Sequence, residues 1–251
     1  MKSPRLFHLL AGLGLLLLPC TGKAANCVVN LSHYDEMRPD FERMAKSGIV
    51  GVIHEATYPG AEDEKYASRQ AAARKAGLLW GAYHFADGTD PVRQADRFLN
   101  VVSRHSNGSP VLLVLDFEKN DHYRGGTMTV AQAVKFVERV HDRTGQYPGL
   151  YASENRIKLL LDHPTTDPAA KRILSKCWLW IANYHHEPKA TSPWSTWTMW
   201  QYTGDGICDL PRRTHPISIA NIPKAERNLY RGGVGSARNL WQERSWGGRG
   251  S

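Results

Sequence analysis

Two acids stand one residue apart in the stretch PVLLVLDFEKNDHYRGG, at Asp116 and Glu118. Residues i and i+2 of a strand face the same side, so both carboxyls point one way and Phe117 points the other. The apolar run from Val111 to Leu115 that leads into them reads as a buried strand. Two like charges so close resist joint ionisation, and one pKa rises. A carboxylic acid that keeps its proton near neutrality, beside an ionised partner, is the combination that acid-catalysed cleavage of a glycosidic bond uses. A salt-bridged structural pair or a metal-ligand pair would use the same residue types, so the rest of the chain has to decide.

The elements that must hold these acids follow from the hydrophobic pattern. Strands are expected over 27–32, 49–57, 78–86, 110–118, 147–153, 177–184 and 196–203, with a last one near 226–229. Helices are expected between them over 38–48, 61–77, 89–105, 129–145 and 154–162. Asp90 before Pro91 marks one helix start, and Thr129 with Gln132 has capping-box spacing ahead of another, which Gly145 ends. Repeated strand–helix units with apolar strands argue for an α/β fold with a parallel sheet. About eight strands in roughly 200 residues suggest a single-domain, modified (β/α)8 barrel short of its late helices. A doubly wound open sheet is the alternative, but no glycine-rich phosphate loop follows the first strand. The barrel is assigned to residues 25–232, and the tail 233–251, ending SWGGRGS, is expected to be partly disordered.

In a parallel barrel, reactive groups sit at the C-terminal ends of the strands. Those ends carry Tyr83, His84 and Phe85 on the third strand, Tyr151 on the fifth, and Trp180, Asn183 and Tyr184 on the sixth. Trp200, Gln201 and Tyr202 lie on the seventh. Singly, each aromatic is as readily a core residue as a ligand. Together they line one rim around the two acids, which reads as a carbohydrate cleft.

Composition bounds the setting. The 251 residues are 41% hydrophobic and 22% charged, as in a globular chain, with a net charge of +8. Lys2 and Arg5 precede an apolar run ending at Pro19, followed by small residues at Gly22 and Ala24. This fits a secretory signal over residues 1–24, with a membrane anchor as the alternative that its short length disfavours. A secreted or periplasmic protein is expected. Removing the signal takes Lys2, Arg5 and Lys23 and leaves +5, a charge suited to anionic polymers such as a bacterial wall. No basic stripe with interleaved aromatics supports nucleic-acid binding. Export permits a disulfide among Cys27, Cys177 and Cys208, and the spacing does not choose a pair. No metal-ligand motif occurs; the adjacent His185 and His186 read as a solvated loop. Acid/base glycoside cleavage needs no cofactor.

Seven stretches in order carry a resemblance: VVNLSHYD (28–35), GAYHF (81–85), DPVRQADRFL (90–99), PVLLVLDFE (110–118), PGLYAS (148–153), LWIANY (179–184) and WTMWQYT (197–203). Together they resemble the family 25 glycoside hydrolases, lysozymes (N-acetylmuramidases) that cleave peptidoglycan, over about Val28 to Asn228. The resemblance implies a modified (β/α)8 barrel, with Glu118 as general acid/base and Asp116 as the second essential carboxylate. Asn30, Tyr83, Phe85, Tyr151, Trp180, Tyr184, Gln201 and Glu226 would contact the glycan strand, and a monomer is expected. Three positions depart from the family pattern. Asn30 stands where an acid is usual, Glu226 where an Asp is common, and Glu55 at a usual Lys-like position. A charge lost at Asn30 removes a neighbour expected to raise the pKa of Glu118. A non-catalytic glycan-binding barrel, or a hydrolase of another amino-sugar polymer such as chitin, are the competing functions.

Overall fold

Strand polarity and helix caps set the architecture of the computed structural model, which describes residues 23–123 and 125–247. Residues 1–22, the bulk of the expected signal, and 248–251 lie outside the described residues. The elements run β1 (Ala25–Leu31), α1 (Phe41–Lys46), β2 (Gly51–Tyr58), β3 (Ala61–Glu62), α2 (Tyr66–Lys75), β4 (Leu79–Phe85), α3 (Pro91–Ser106) and β5 (Val111–Asp116). They continue with α4 (Val130–Thr144), β6 (Gly149–Ser153), α5 (Glu154–Arg156) with a π-helical turn (Ile157–Leu161), α6 (Pro168–Leu174) and β7 (Trp178–Ala182). Last come β8 (Met199–Thr203), β9 (Glu226–Tyr230), α7 (Val234–Arg244) and β10 (Ser245–Trp246).

Eight strands close into a barrel in the order β1, β2, β4, β5, β6, β7, β8, β9 and back to β1. Seven run parallel. β9 runs antiparallel to both its neighbours, because a loop over residues 204–225 replaces the last outer helix and feeds the strand from the other end. This is the modification of the simple barrel, and the open doubly wound sheet is excluded by the β1–β2 closure.

Alternation along the strands splits the core into two layers. On β5, Leu112 and Val114 point into the barrel with Val28, Ile53, Trp180 and Met199. Leu113, Leu115 and Phe117 point outward against Phe98, Phe136 and Val137 of the helices. The helices start where side chains satisfy their free N–H groups. Asp90 accepts from the N–H of Val92 and Arg93, and Thr129 and Gln132 form a reciprocal capping box. Gly145, at φ 72°, ends α4 in a left-handed turn that favours glycine.

Three expectations are corrected. The helix expected from residue 61 starts at Tyr66, because Ala61–Glu62 first folds back onto Tyr58 and Thr57 as β3. The Asp63 carboxylate then accepts the Lys65 N–H at 2.7 Å and turns the chain into α2. Residues 233–247 are not a disordered tail. α7 places Ala237, Leu240 and Trp241 under the barrel, with the Trp241 indole donating to the Trp80 carbonyl at 3.0 Å. β10 then pairs with Val111 and Leu112, at the part of β5 that precedes its first β6 partner, Val114. The C-terminal segment thus plugs the bottom of the barrel. Gly51 has to be glycine there, since a Cβ would lie 2.8 Å from the Trp241 ring. Finally, Cys27, Cys177 and Cys208 are three separate buried thiols, Cys27 in the inner core layer and the other two in the outer one. No helix among the described residues is long and apolar enough to cross a membrane.

Candidate active site

The C-terminal ends of the strands surround a cavity of about 320 Å³. Its wall contains the ten residues that the resemblance assigns to catalysis and glycan contact: Asn30, Tyr83, Phe85, Asp116, Glu118, Tyr151, Trp180, Tyr184, Gln201 and Glu226. Strand parity explains the convergence. Asn30, Glu55, Tyr83, Asp116, Tyr151, Trp180, Gln201 and Glu226 all occupy inward positions near strand ends. Trp200, Tyr202 and His84 have the opposite parity and do not line it. Trp200 and Tyr202 join the outer core layer, and His84 stacks on Phe136 at 5.4 Å. Asn183 stays at the rim, bound to Glu154.

Asp116 ends β5 and is buried; Glu118, two residues on, is partly open to the cavity. The Phe117 N–H donates to the Tyr151 carbonyl at 2.8 Å, which continues the ladder through the step between the acids. Burial, and then the charge of Glu118, hold the Asp116 carboxyl well above the usual carboxylate range. Burial pushes Glu118 up to about 7, with Arg156 pulling it down and Asp205 raising it. The Arg156 guanidinium lies 4.1 Å over the Phe117 ring and donates to the Met128 carbonyl at 2.8 Å, so its position is fixed. One Asp116 oxygen, Oδ1, is buried and accepts no hydrogen bond from the protein.

Asn30 is the hub of the opposite wall. Its amide nitrogen donates to the Glu226 carboxylate. Its oxygen accepts from Asn228 at 2.9 Å and from Gln201 at 3.4 Å, and Asn228 accepts the Trp180 indole N–H at 2.8 Å. Gln201 in turn accepts from the Tyr151 and Tyr184 hydroxyls. An amide suits this place because it must donate on one side and accept on the other. Burial, then Asp35 and Asp205, push Glu226 up to about 8. The lost charge at Asn30 therefore does not return Glu118 to an ordinary value: burial and Asp205 raise it without that neighbour.

Three further acids line the cavity: Asp35, Glu55 and Asp205. Asp35 and Asp205 lie on loops, where no strand period flags them. Burial raises Glu55 to about 7 and raises Asp35. Glu55 accepts from His33 at 2.7 Å and from the Tyr83 hydroxyl at 3.4 Å. His33, Glu55 and Asp63 also bring an imidazole and two carboxylates together, the group among the described residues with donors suited to a metal. The sequence hides it, because its members come from three elements.

A closed barrel with a proton-bearing carboxylic acid among aromatic and amide walls at its strand ends is the architecture of a glycosidase. The profile of the glycosyl hydrolases family 25 matches residues 29–209, and the chain belongs to that family and is a glycoside hydrolase. Solved structures share the fold. The bacterial lysozyme from Streptomyces coelicolor superposes with a TM-score of 0.66 at 21% identity, covering 88% of this chain and 97% of the other. The muramidase from Trichobolus zukalii gives 0.65 at 20% identity, covering 87% and 99%. The family GH25 lysozyme from Aspergillus fumigatus gives 0.61 at 24% identity, covering 85% and 97%. A search of curated proteins finds no match.

Proposed function

We propose that the protein is an exported muramidase that cleaves the β-1,4 bond between N-acetylmuramic acid and N-acetylglucosamine in peptidoglycan. The observation that carries this reading is the pairing on β5: Glu118, raised to about 7 and open to the cavity, beside a buried Asp116. Glu118 protonates the glycosidic oxygen as the bond breaks and later takes a proton from the attacking water. Asp116 approaches the sugar from the same strand face as Glu118, which is unsuited to backside attack. The nucleophile is instead the carbonyl oxygen of the substrate's own N-acetyl group, which closes onto C1 and is then displaced by water. In its ionised form Asp116, on the same strand face as Glu118, accepts the N–H of that group and stabilises the positive charge of the ring intermediate. The aromatic and amide walls from Tyr83 to Tyr184 hold the neighbouring sugars.

Export is supported by Lys2 and Arg5 ahead of the apolar run and by the small residues at Gly22 and Ala24. Since β1 begins at Ala25, cleavage after Ala24 leaves the barrel whole. N-terminal sequencing of the protein outside the producing cell tests this, and a retained residue 1 rejects it.

Mass spectrometry of digested, purified peptidoglycan tests the reaction. N-acetylmuramic acid at the new reducing ends is expected. N-acetylglucosamine there names a different bond, and turnover only on chitin names a different polymer. Wall binding without turnover at any pH between 4 and 8 returns the protein to a binding role. A glycosyl ester isolated on Asp116 rejects the N-acetyl route.

A further inference from the structure

Behind the cavity wall at Glu55 lie donors that the proposed hydrolysis does not use. His33 Nδ1, a Glu55 oxygen and an Asp63 oxygen all lie within 4.8 Å of one another. His33 Nδ1 is 2.7 Å from Glu55 Oε1 and 3.9 Å from Asp63 Oδ2. Glu55 is 3% exposed and Asp63 1%. Asp63 Oδ1 is satisfied by the Lys65 N–H at 2.7 Å, but Oδ2 is buried with no hydrogen-bond partner. Nearby cations are committed elsewhere. The Lys65 ammonium binds the carbonyls of His33 and Asp35. The Arg69 guanidinium binds the carbonyls of Ser32, Asp35 and Met37 and the Nε2 of His54. His54 Nδ1 lies 3.6 Å from Asp63 Oδ2 but gives its hydrogen to the Glu55 carbonyl at 2.7 Å. A buried carboxylate oxygen without a hydrogen-bond partner thus points at a second buried carboxylate and an imidazole, and Arg69, which lowers the Asp63 pKa from nearby, makes its hydrogen bonds to other groups. Such an arrangement is costly unless a cation joins it.

We propose that His33, Glu55 and Asp63 bind a divalent transition ion of the Zn²⁺ type, seated between the β1–α1 loop, β2 and the turn after β3. Three protein ligands with one position left for water is a count that Zn²⁺ accepts. The imidazole donor disfavours Ca²⁺ and Mg²⁺, which take oxygen ligands. Zn–N and Zn–O bonds of about 2.0–2.2 Å set tetrahedral ligand atoms roughly 3.3 Å apart. The His33–Glu55 contact has to open slightly from 2.7 Å and the His33–Asp63 contact to close from 3.9 Å. The ion takes the place of the hydrogen on His33 Nδ1, which leaves as a proton or moves to Nε2. The outer contacts already fix the ligands. The Lys65 N–H holds Asp63, the Tyr83 hydroxyl reaches the other Glu55 oxygen at 3.4 Å, and Tyr58 stacks on the His33 ring at 4.6 Å. Bound there, the ion tethers to β2 the loop that carries Tyr34 and Asp35, two residues of the cavity wall.

The test is calorimetric titration of Zn²⁺ into the tag-free mature chain after EDTA treatment, with metal analysis of the product. One Zn²⁺ per chain is expected. Binding should weaken at least tenfold in Asp63→Asn, in His33→Ala and in Glu55→Lys, whose ammonium occupies the place of the ion. Circular dichroism checks that each variant is folded, and any one folded variant decides the question. The exposed His185, 2.6 Å from Asp209, and the adjacent His186 form the obvious rival. Binding that persists in the folded variants and disappears in a His185→Ala, His186→Ala double variant overturns the proposal. Absence of binding at millimolar Zn²⁺ in the wild type also overturns it.

Discussion

Glu118→Gln separates the two roles the carboxyl is given, one in catalysis and one in stability. Glu118 moves from an ordinary value of 4.5 to about 7 in the folded chain. Each unit is worth about 1.4 kcal/mol, so ionising this buried acid costs the fold on the order of 3 kcal/mol. The sign follows from proton counting. Between pH 4.5 and 7 the folded state binds more protons than the unfolded chain, so stability falls as pH rises through that window. Below the window the carboxyl is neutral in both states and matches a glutamine in shape and charge. Calorimetric Tm values for wild type and Glu118→Gln should therefore agree near pH 4. At pH 8 the variant should melt higher by about 6–12 °C, taking roughly 2–4 °C per kcal/mol for a chain of this size. Its turnover on purified peptidoglycan, followed by released reducing ends, should fall about 10²–10⁴-fold, the usual worth of a positioned acid. The wild-type rate should decline above about pH 7 as Glu118 loses its proton. A Tm difference that stays constant with pH would refute the buried-charge argument. A variant within tenfold of wild-type turnover would refute the catalytic one.

Other perturbations have signed outcomes. Arg156 pulls the Glu118 pKa down, so Arg156→Gln should move the alkaline limb of the pH–rate profile upward; a limb that stays in place refutes that coupling. Asn30→Asp sets a second carboxylate against Glu226, which is already raised to about 8. The variant should lose about 1–3 kcal/mol at pH 8 and recover much of it at pH 5, where the pair shares a proton, as read by calorimetry. Trp241→Ala empties the plug beneath the barrel and should cost about 3–5 kcal/mol. Turnover of its folded form at low temperature should be close to wild type, because the plug and the cavity lie at opposite ends.

The sequence carried the site further than the fold that closes it. Strand parity alone places Asp116 and Glu118 on the inner face with Phe117 outside, because a period of two allows no other arrangement. The same parity separates Gln201 from Trp200 and Tyr202, so counting aromatics at strand ends overstates the cleft and counting parity corrects it. The direction of β9 was not legible. A five-residue strand reads the same in both directions, and a long irregular loop decides which end the chain enters. The plug was legible in part. Ala237, Leu240 and Trp241 have i, i+3, i+4 spacing, a helical stripe within the stretch expected as a partly disordered tail.

The positions where the chain departs from its family show why single-residue comparison misleads in a buried acid cluster. Asn30 looked like a missing charge, and a missing charge suggested a weakened acid at Glu118. In the folded chain, what an acid gains from neighbours depends first on how far both are from water. Glu118 owes its raised value to burial, and Asp205, which no motif flagged, supplies the neighbouring charge. The amide at Asn30 makes a different contribution. It gives Glu226 a donor while accepting from Asn228 and Gln201, so that wall holds one carboxyl with its hydrogen bonds made instead of two in opposition. At Glu55 the departure runs the other way. There an acid, where the resemblance implies a Lys-like residue, faces Asp63 and His33 in a buried site, and the nearby lysine and arginine bind backbone carbonyls and His54. Taken together, the two exchanges leave Asn30 as a hydrogen-bonded amide on one wall and bring two buried carboxyls, both raised by burial, together at Glu55 and Asp63.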